Sequence, residues 1–222
     1  MGIAPTSSWP LFGLEVRTDV VTLRYPDDEM LIELMELAAA GIHDESFMPF
    51  GVPWTREDPP ALQQKGLQFH WRCRAELSAD SLRIPLACFV DDELVGTSDL
   101  FATSFTTLRQ FETGSWLGRG FQGRGIGKAM RAATLALGFD GLGGVRALTG
   151  AWDDNGPSIG VTRSLGYAEQ GHRWMDREGT ATKMVGFEME PEQFERVRPA
   201  DVEFIGLDQV REFLQITTAD QR

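Results

Sequence analysis

Cysteine is scarce, with two in 222 residues. Cys73 and Cys88 form no CxxC and have no metal-like spacing, so a disulfide framework is disfavoured and two free thiols in a reducing compartment are expected. Histidine is also rare. His43, His70 and His172 do not stand at ligand spacing from one another, so no metal is expected. No apolar run approaches the roughly 20 residues that cross a bilayer. The first residues lack the basic-then-apolar layout of a signal peptide, and a soluble cytoplasmic protein without a membrane partner is expected. Basic residues are outnumbered 21 to 33, for a formal net charge of −12. Nucleic acid binding draws on a basic surface, so nucleic acid is disfavoured as a partner, whereas an acidic surface favours approach of a cation such as an amine. Internal repeats and low-complexity blocks are absent too.

Glycine, by contrast, is concentrated in one stretch, Gly114-Ser-Trp-Leu-Gly-Arg-Gly-Phe-Gln-Gly-Arg-Gly-Ile-Gly-Lys-Ala-Met130. An apolar strand there empties into a turn that opens a helix. Gly125 and Gly127 permit close approach of backbone to ligand, and the first N–H groups of a helix have no intrahelical partner, so the turn is suited to a pyrophosphate. Ile126, Ala129, Met130, Ala133 and Leu137 give the helix one buried face. Arg119, Arg124, Lys128 and Arg131 form a basic cluster, out of keeping with the acidic chain, that an anionic cofactor would explain. Gly118-Arg-Gly120-Phe-Gln-Gly123 satisfies the dinucleotide pattern GxGxxG, but Asp140 follows a helix where that pattern needs an acidic residue ending a strand. Gly127-Lys128 resembles the end of a P-loop, but Gln122 stands where the loop needs Gly and Ala129 where it needs Ser or Thr.

Gln122-x-x-Gly125-x-Gly127 resembles the Gln/Arg-x-x-Gly-x-Gly/Ala signature of the GNAT family of acyl-CoA-dependent N-acyltransferases. Asn155-Gly-Pro-Ser158-Ile-Gly-Val161, followed by Gly166-Tyr167, resembles a second segment of that family, in the same order and spacing. The match is nearest to the RimJ/RimL-type branch, as in actinobacterial members, and spans roughly Leu14 to Met189. It implies an α/β (α+β) fold with a central mixed, mostly antiparallel, V-splayed sheet flanked by helices. It also implies acetyl-CoA, or another acyl-CoA, as donor and an amine as acceptor. The loop Met48-Pro49-Phe50 with Pro53-Trp54 is similar to that of members associated with succinyl transfer, so succinyl-CoA stays open beside acetyl-CoA.

Taken in order, 1–13 reads as a lead-in, 14–190 as the N-acyltransferase domain and 191–222 as a C-terminal appendage on the domain or at an interface. Leu14–Tyr25 alternates as one strand or two short ones. Asp27 or Asp28 caps a helix whose apolar face carries Met30, Leu31, Leu34, Met35, Leu37 and Ala38, which Gly41 ends. Gly41–Pro60 has no period yet carries many large apolar groups. By resemblance Phe47, Met48, Phe50 and Trp54 shape the acceptor or acyl pocket; capping the core or an interface between identical chains, most simply a dimer, is the other reading. Pro60–Leu77 is helical. Ile84–Val90 and Leu94–Thr103 form a hairpin, and Gln110–Leu117 feeds the turn. Val145–Trp152 is a strand, Pro157–Leu165 a helix, and two strands meet around Glu178-Gly179.

Acyl transfer from a thioester to an amine needs positioning, a base, oxyanion donors and an acid for the departing thiolate. The resemblance implies that Trp116 and Leu117 pair with the pantetheine arm and that the Leu117 N–H serves the oxyanion. Gln122, Gly123, Arg124, Gly125, Ile126, Gly127 and Lys128 would surround the pyrophosphate, and Asn155 would bind pantetheine amides or simply form a turn. The family's usual tyrosine is replaced by Thr162. Ser158 is then the candidate acid, or a helix cap. Glu178 and Glu112 are the candidate bases, with an ordered water as a third option. A catalytically silent acyl-CoA-binding module and a Rossmann-type oxidoreductase remain as rival readings.

Overall fold

The computed structural model describes residues 5–217; residues 1–4 of the lead-in and 218–222 of the C-terminal segment lie outside the described residues. Nine strands form one sheet in the order β7-β8-β6-β5-β4-β3-β2-β1-β9. They are β1 (Glu15–Arg17), β2 (Thr22–Arg24), β3 (Leu82–Val90), β4 (Glu93–Ala102), β5 (Gln110–Leu117), β6 (Arg146–Trp152), β7 (Ala168–Arg177), β8 (Thr180–Met189) and β9 (Glu203–Ile205). Every pairing is antiparallel except β5 with β6.

Local chemistry accounts for the long hairpin at the centre. Most of β3 is buried on both faces, so it reads as a near-continuous apolar run rather than an alternation. Its turn places Asp91 and Asp92 at φ 50° and 62°, the left-handed pair that matches strand twist and that Asp tolerates.

Two helices cover one face of the sheet, α1 (Asp28–Ala39) and α2 (Ala61–Glu76), and two cover the other, α3 (Ile126–Ala136) and α4 (Gly156–Ser164). Asp27 caps α1 by accepting the Met30 N–H at 2.8 Å, and Asp28 and Glu29 add negative charge at the positive end of its dipole. Helix α3 differs from the one-faced helix its spacing predicts. From Met130 onward it is buried all round, because α4 covers the side turned away from the sheet.

Strand β5 positions the site. Phe111, Thr113 and Leu117 are buried toward α3, while Gly114 and Trp116 face the α1–α2 side. The Phe111 ring packs edge-on against Phe139 at 5.1 Å and fills the space over Gly138 and Gly144, where a Cβ would overlap it. Pairing of β5 with β6 is brief. Only Gln110, Phe111 and Glu112 are in register with β6, and beyond them the strands part.

The C-terminal segment carries structure that its lack of motif concealed. Strand β9 pairs with β1 and so extends the main sheet, and α5 (Leu207–Leu214) packs on the turn Pro10–Gly13 through Leu207, Val210 and Leu214. Gly206, at φ 70°, allows this closure, since a Cβ there would strike the Gly13 carbonyl.

Phe111→Ala removes a ring only 1 % exposed. An unfolding free energy lower by about 3–5 kcal/mol is expected for such a cavity, measured by urea denaturation.

Candidate functional site

The turn between β5 and α3 is held open by its own backbone. A short 3-10 turn spans Arg119–Phe121, after which Gly123 and Gly125 take φ 72° and 83°. A Cβ at either would meet nothing, so the need for glycine there is conformational rather than steric. The N–H groups of Gly123, Arg124, Gly125, Ile126 and Gly127 donate to no group among the described residues, whereas those of Lys128 and Ala129 already return to the Gly125 carbonyl. Five consecutive donors thus converge at the positive end of α3, as in anion sites at helix N-termini. Arg124 and Lys128 stand exposed beside them and border a groove of about 390 Å³.

Arg131 does not join that cluster. It is buried, its Nη1 donates to the Thr162 hydroxyl at 2.6 Å, and Thr162 in turn donates to the Ser158 carbonyl at 2.9 Å. Burial pushes the Arg131 pKa down from its ordinary value.

Below the turn lies the parting of β5 and β6. The Thr149 hydroxyl still reaches the Thr113 carbonyl at 3.0 Å, but Gly114–Leu117 have ladder partners only in β4. In an antiparallel ladder both polar groups of one residue point to the same side, and neighbours alternate. Gly118 donates to Val95 of β4, so the N–H and C=O of Leu117 are turned into the gap. The Leu117 carbonyl is met there by Gln122, whose Nε2 donates to it at 2.9 Å and to the Ile42 carbonyl at 2.7 Å. The Gln122 side chain therefore braces the turn to the loop after α1.

On the opposite face of β5 a cleft of about 710 Å³ runs between β4, β5, α2 and the loop after α1. Four large rings line it among polar and charged side chains. Trp116 lies 6.0 Å from Trp54, Trp54 lies 5.4 Å from Phe50, and Phe69 closes the α2 side. Of the four loop residues expected to shape an acceptor pocket, Phe50 and Trp54 line this cleft. Met48 is buried beside Thr55, and Phe47 lies under the Arg177 guanidinium at 4.6 Å. Tethers fix the loop on the far side of the sheet. Trp152 Nε1 donates to the Phe50 carbonyl at 3.2 Å, and Arg56 pairs with Glu178 at 2.7 Å.

The remaining candidates fall at separate places. Asn155 caps α4 by accepting the Ser158 N–H at 3.2 Å, so the Ser158 hydroxyl is not needed as a cap and bonds no group among the described residues. Glu178 sits in the β7–β8 turn, where the hydrogen bonds from Arg56 hold its carboxyl below the usual range. Glu112 is exposed on β5 and lies outside the cleft lining. His43 is engaged by Thr55 and the Asp44 carbonyl rather than by the cleft.

One carboxyl escaped the sequence reading. Asp99, on β4 opposite Gly114, lines the cleft, and burial pushes it up to about 7 against a single lowering hydrogen bond from Thr97. The signal was present in Thr97-x-Asp99, two polar side chains on one face of a strand whose neighbours are mostly apolar.

Comparison with known proteins places this geometry. Residues 21–168 match the acetyltransferase (GNAT) domain family. Mycobacterium smegmatis RimJ in complex with CoA-disulfide superposes with a TM-score of 0.68 at 22 % identity, covering 85 % of this chain and 94 % of that one. RimL, a ribosomal L7/L12 alpha-N-protein acetyltransferase in complex with coenzyme A, gives 0.63 at 16 % identity, covering 78 % and 95 %. The microcin C7 self-immunity acetyltransferase MccE, in complex with acetyl-CoA and AMP, gives 0.61 at 18 % identity, covering 78 % and 93 %.

Gln122→Ala strips two carbonyls of their donor. Urea denaturation is expected to show a loss of about 1–2 kcal/mol, the usual cost of unmatched polar groups.

Proposed function

The chain belongs to the GNAT acetyltransferase family, and from that premise we propose that it moves an acetyl or succinyl group from acyl-CoA to a primary amine, by direct attack while both are bound. The observation that carries this reading is the row of five free N–H groups from Gly123 to Gly127, set at the start of a helix and flanked by Arg124 and Lys128. Such a row suits the diphosphate of coenzyme A. The unpaired edge of Gly114–Leu117 offers the pantetheine arm a strand to lie against, and Asn155 stands at the head of α4 where its free amide can meet that arm.

The chain's own residues then divide the chemistry. Trp116 and Leu117 orient the thioester, and the Leu117 N–H, turned into the gap, donates to the oxygen as it gains charge. Ser158 is the hydroxyl available to the departing sulfur, because Thr162 is committed to Arg131 and the Ser158 carbonyl. The amine enters from the opposite face, through the aromatic cleft lined by Phe50, Trp54 and Trp116. Arg72 on the cleft wall would receive the free carboxylate of a succinyl group. Association of two copies belongs to the same proposal, supported by the outer edge of β7, which has no neighbouring strand among the described residues, and by Trp174 exposed on it.

Isothermal titration tests the reading. Coenzyme A, acetyl-CoA and succinyl-CoA are expected to bind and NAD not to. Gly125→Val, which forces a β-branched residue to φ 83°, is expected to weaken coenzyme A by about tenfold or more, since strain of roughly 1–3 kcal/mol must be relieved by moving the donors. Binding of NAD in preference to coenzyme A overturns the proposal. In a thiol-release assay, Ser158→Ala is expected to lower kcat by about tenfold or more at unchanged coenzyme A affinity, in keeping with loss of an acid catalyst.

A further inference from the structure

Resting on the acyltransfer reading above, we propose that Asp99 on the cleft wall is both counter-ion and general base for the acceptor, and that the acceptor is a primary ammonium carried on an apolar, ring-sized body. Three features of the cleft support this, and each concerns placement rather than family.

The first is position. Asp99 pairs in register with Gly114, two residues past the last β5 residue in register with β6, so its side chain projects beside the stretch whose free edge would hold the thioester. Gly114 has no side chain to stand between the two, and a Cβ there would meet nothing, so the passage past it is open.

The second is the lack of compensation. Asp99 makes no ion pair among the described residues, and its one hydrogen bond, at 3.2 Å, comes from a Thr97 hydroxyl whose single proton is shared with the Leu86 carbonyl at 2.9 Å. Asp99 is half-buried, and its second oxygen is left to the cleft, where a cation can reach it. The other titratable groups around it do not fill that role. On α2, His70 is driven down to about 4 by burial and then by Arg74, and the Cys73 thiol is raised to about 12 by burial and then by Asp99. Both are uncharged at neutral pH. Lys65 is paired with Glu57, Arg72 lines the cleft without an ion pair among the described residues, and Arg83 on β3 lies near Glu76 at 3.9 Å.

The third is the wall chemistry. Phe50, Trp54, Phe69 and Trp116 surround a cleft of about 710 Å³, large enough for a ring-sized body. Aromatic faces attract an ammonium as well as covering apolar surface, and of the two carboxyls that line the cleft, Glu57 is paired with Lys65 while Asp99 has no ion pair among the described residues.

The Asp99 carboxylate takes one proton from the ammonium. The freed nitrogen lone pair attacks the thioester carbonyl carbon, forming C–N while the carbonyl pair moves to oxygen. Collapse restores C=O and breaks C–S as the Ser158 hydroxyl gives its proton to the thiolate, and the remaining extra proton on nitrogen restores Ser158. Asp99 then returns its proton to water.

The test uses the full chain with saturating acetyl-CoA and thiol-release detection. The amines are 2-phenylethylamine and tryptamine, against putrescine and glycinamide. Expected are a kcat/KM at least about tenfold higher for the two aromatic amines and an acidic limb with a midpoint near 7. Asp99→Asn is expected to lower kcat/KM by about 100-fold or more and to abolish that limb, with coenzyme A affinity unchanged, and Asp99→Glu to keep the limb at reduced rate. A limb that persists in Asp99→Asn overturns the base assignment. Preference for the compact amines, or no turnover of any of the four by protein that binds coenzyme A, overturns the acceptor class. Failure to bind coenzyme A strikes the parent reading instead.

A folding readout needs no substrate. The folded carboxyl titrates near 7 and the unfolded one near 3.8. The folded state therefore holds the extra proton between these values, and wild-type stability falls as pH rises through that window. The thermal midpoint of the wild type relative to Asp99→Asn is expected to drop between pH 5 and pH 8; an equal difference at both pH values overturns the placement of Asp99.

Discussion

Everything about the site follows from the parting of β5 and β6 after three residues in register. A sheet normally satisfies its backbone on both sides of every inner strand, and abandoning that pairing inside a fold leaves donors and acceptors without partners. Here the loss is confined to one side of Gly114–Leu117, because β4 keeps those residues in register on the other. The gap is lined rather than filled. Gln122 takes up the Leu117 carbonyl, Thr149 bridges the last point of contact, and the remaining groups stay available. A ligand that is itself a chain of amides fits such an opening as no compact metabolite would.

The two halves of the site solve different physical problems on the two faces of one strand. On the α3 side backbone donors, a helix dipole and two exposed cations gather positive potential at one turn. On the α1–α2 side four rings share one cleft with the carboxyls of Asp99 and Glu57 and the cations Lys65 and Arg72. Strand β5 serves both because its side chains alternate, with Leu117 buried toward α3 and Trp116 facing the cleft.

Much of this was legible in the residues. The glycine turn after β5 was readable because left-handed backbone at Gly123 and Gly125 demands glycine whatever surrounds it, and the long strands were readable because their patterns persist over eight or more residues. Strand β9 was not, since three residues are too few to show alternation. Arg131 was grouped with the cations of the turn because it follows Lys128 by one helical turn. Only the packing of α4 over α3 reveals that its guanidinium is enclosed with Thr162. Phe47 and Met48 failed to separate from Phe50 and Trp54 for a like reason: in an aperiodic loop, direction is set by tethers that the local sequence does not encode. Asp99 was overlooked because one carboxyl in a strand looks like any solvated charge until α2 closes over it.

The loop from Gly41 to Pro60 is held at widely spaced points: Gly41 and Ile42 to the phosphate turn, Phe50 to Trp152, and Arg56 to Glu178. Between those anchors it meets β5 through Trp54, whose ring lies 6.0 Å from Trp116. Exchanges in the spans between can thus reshape the aromatic cleft while the turn after β5 keeps the bonds to Gly41 and Ile42 that brace it.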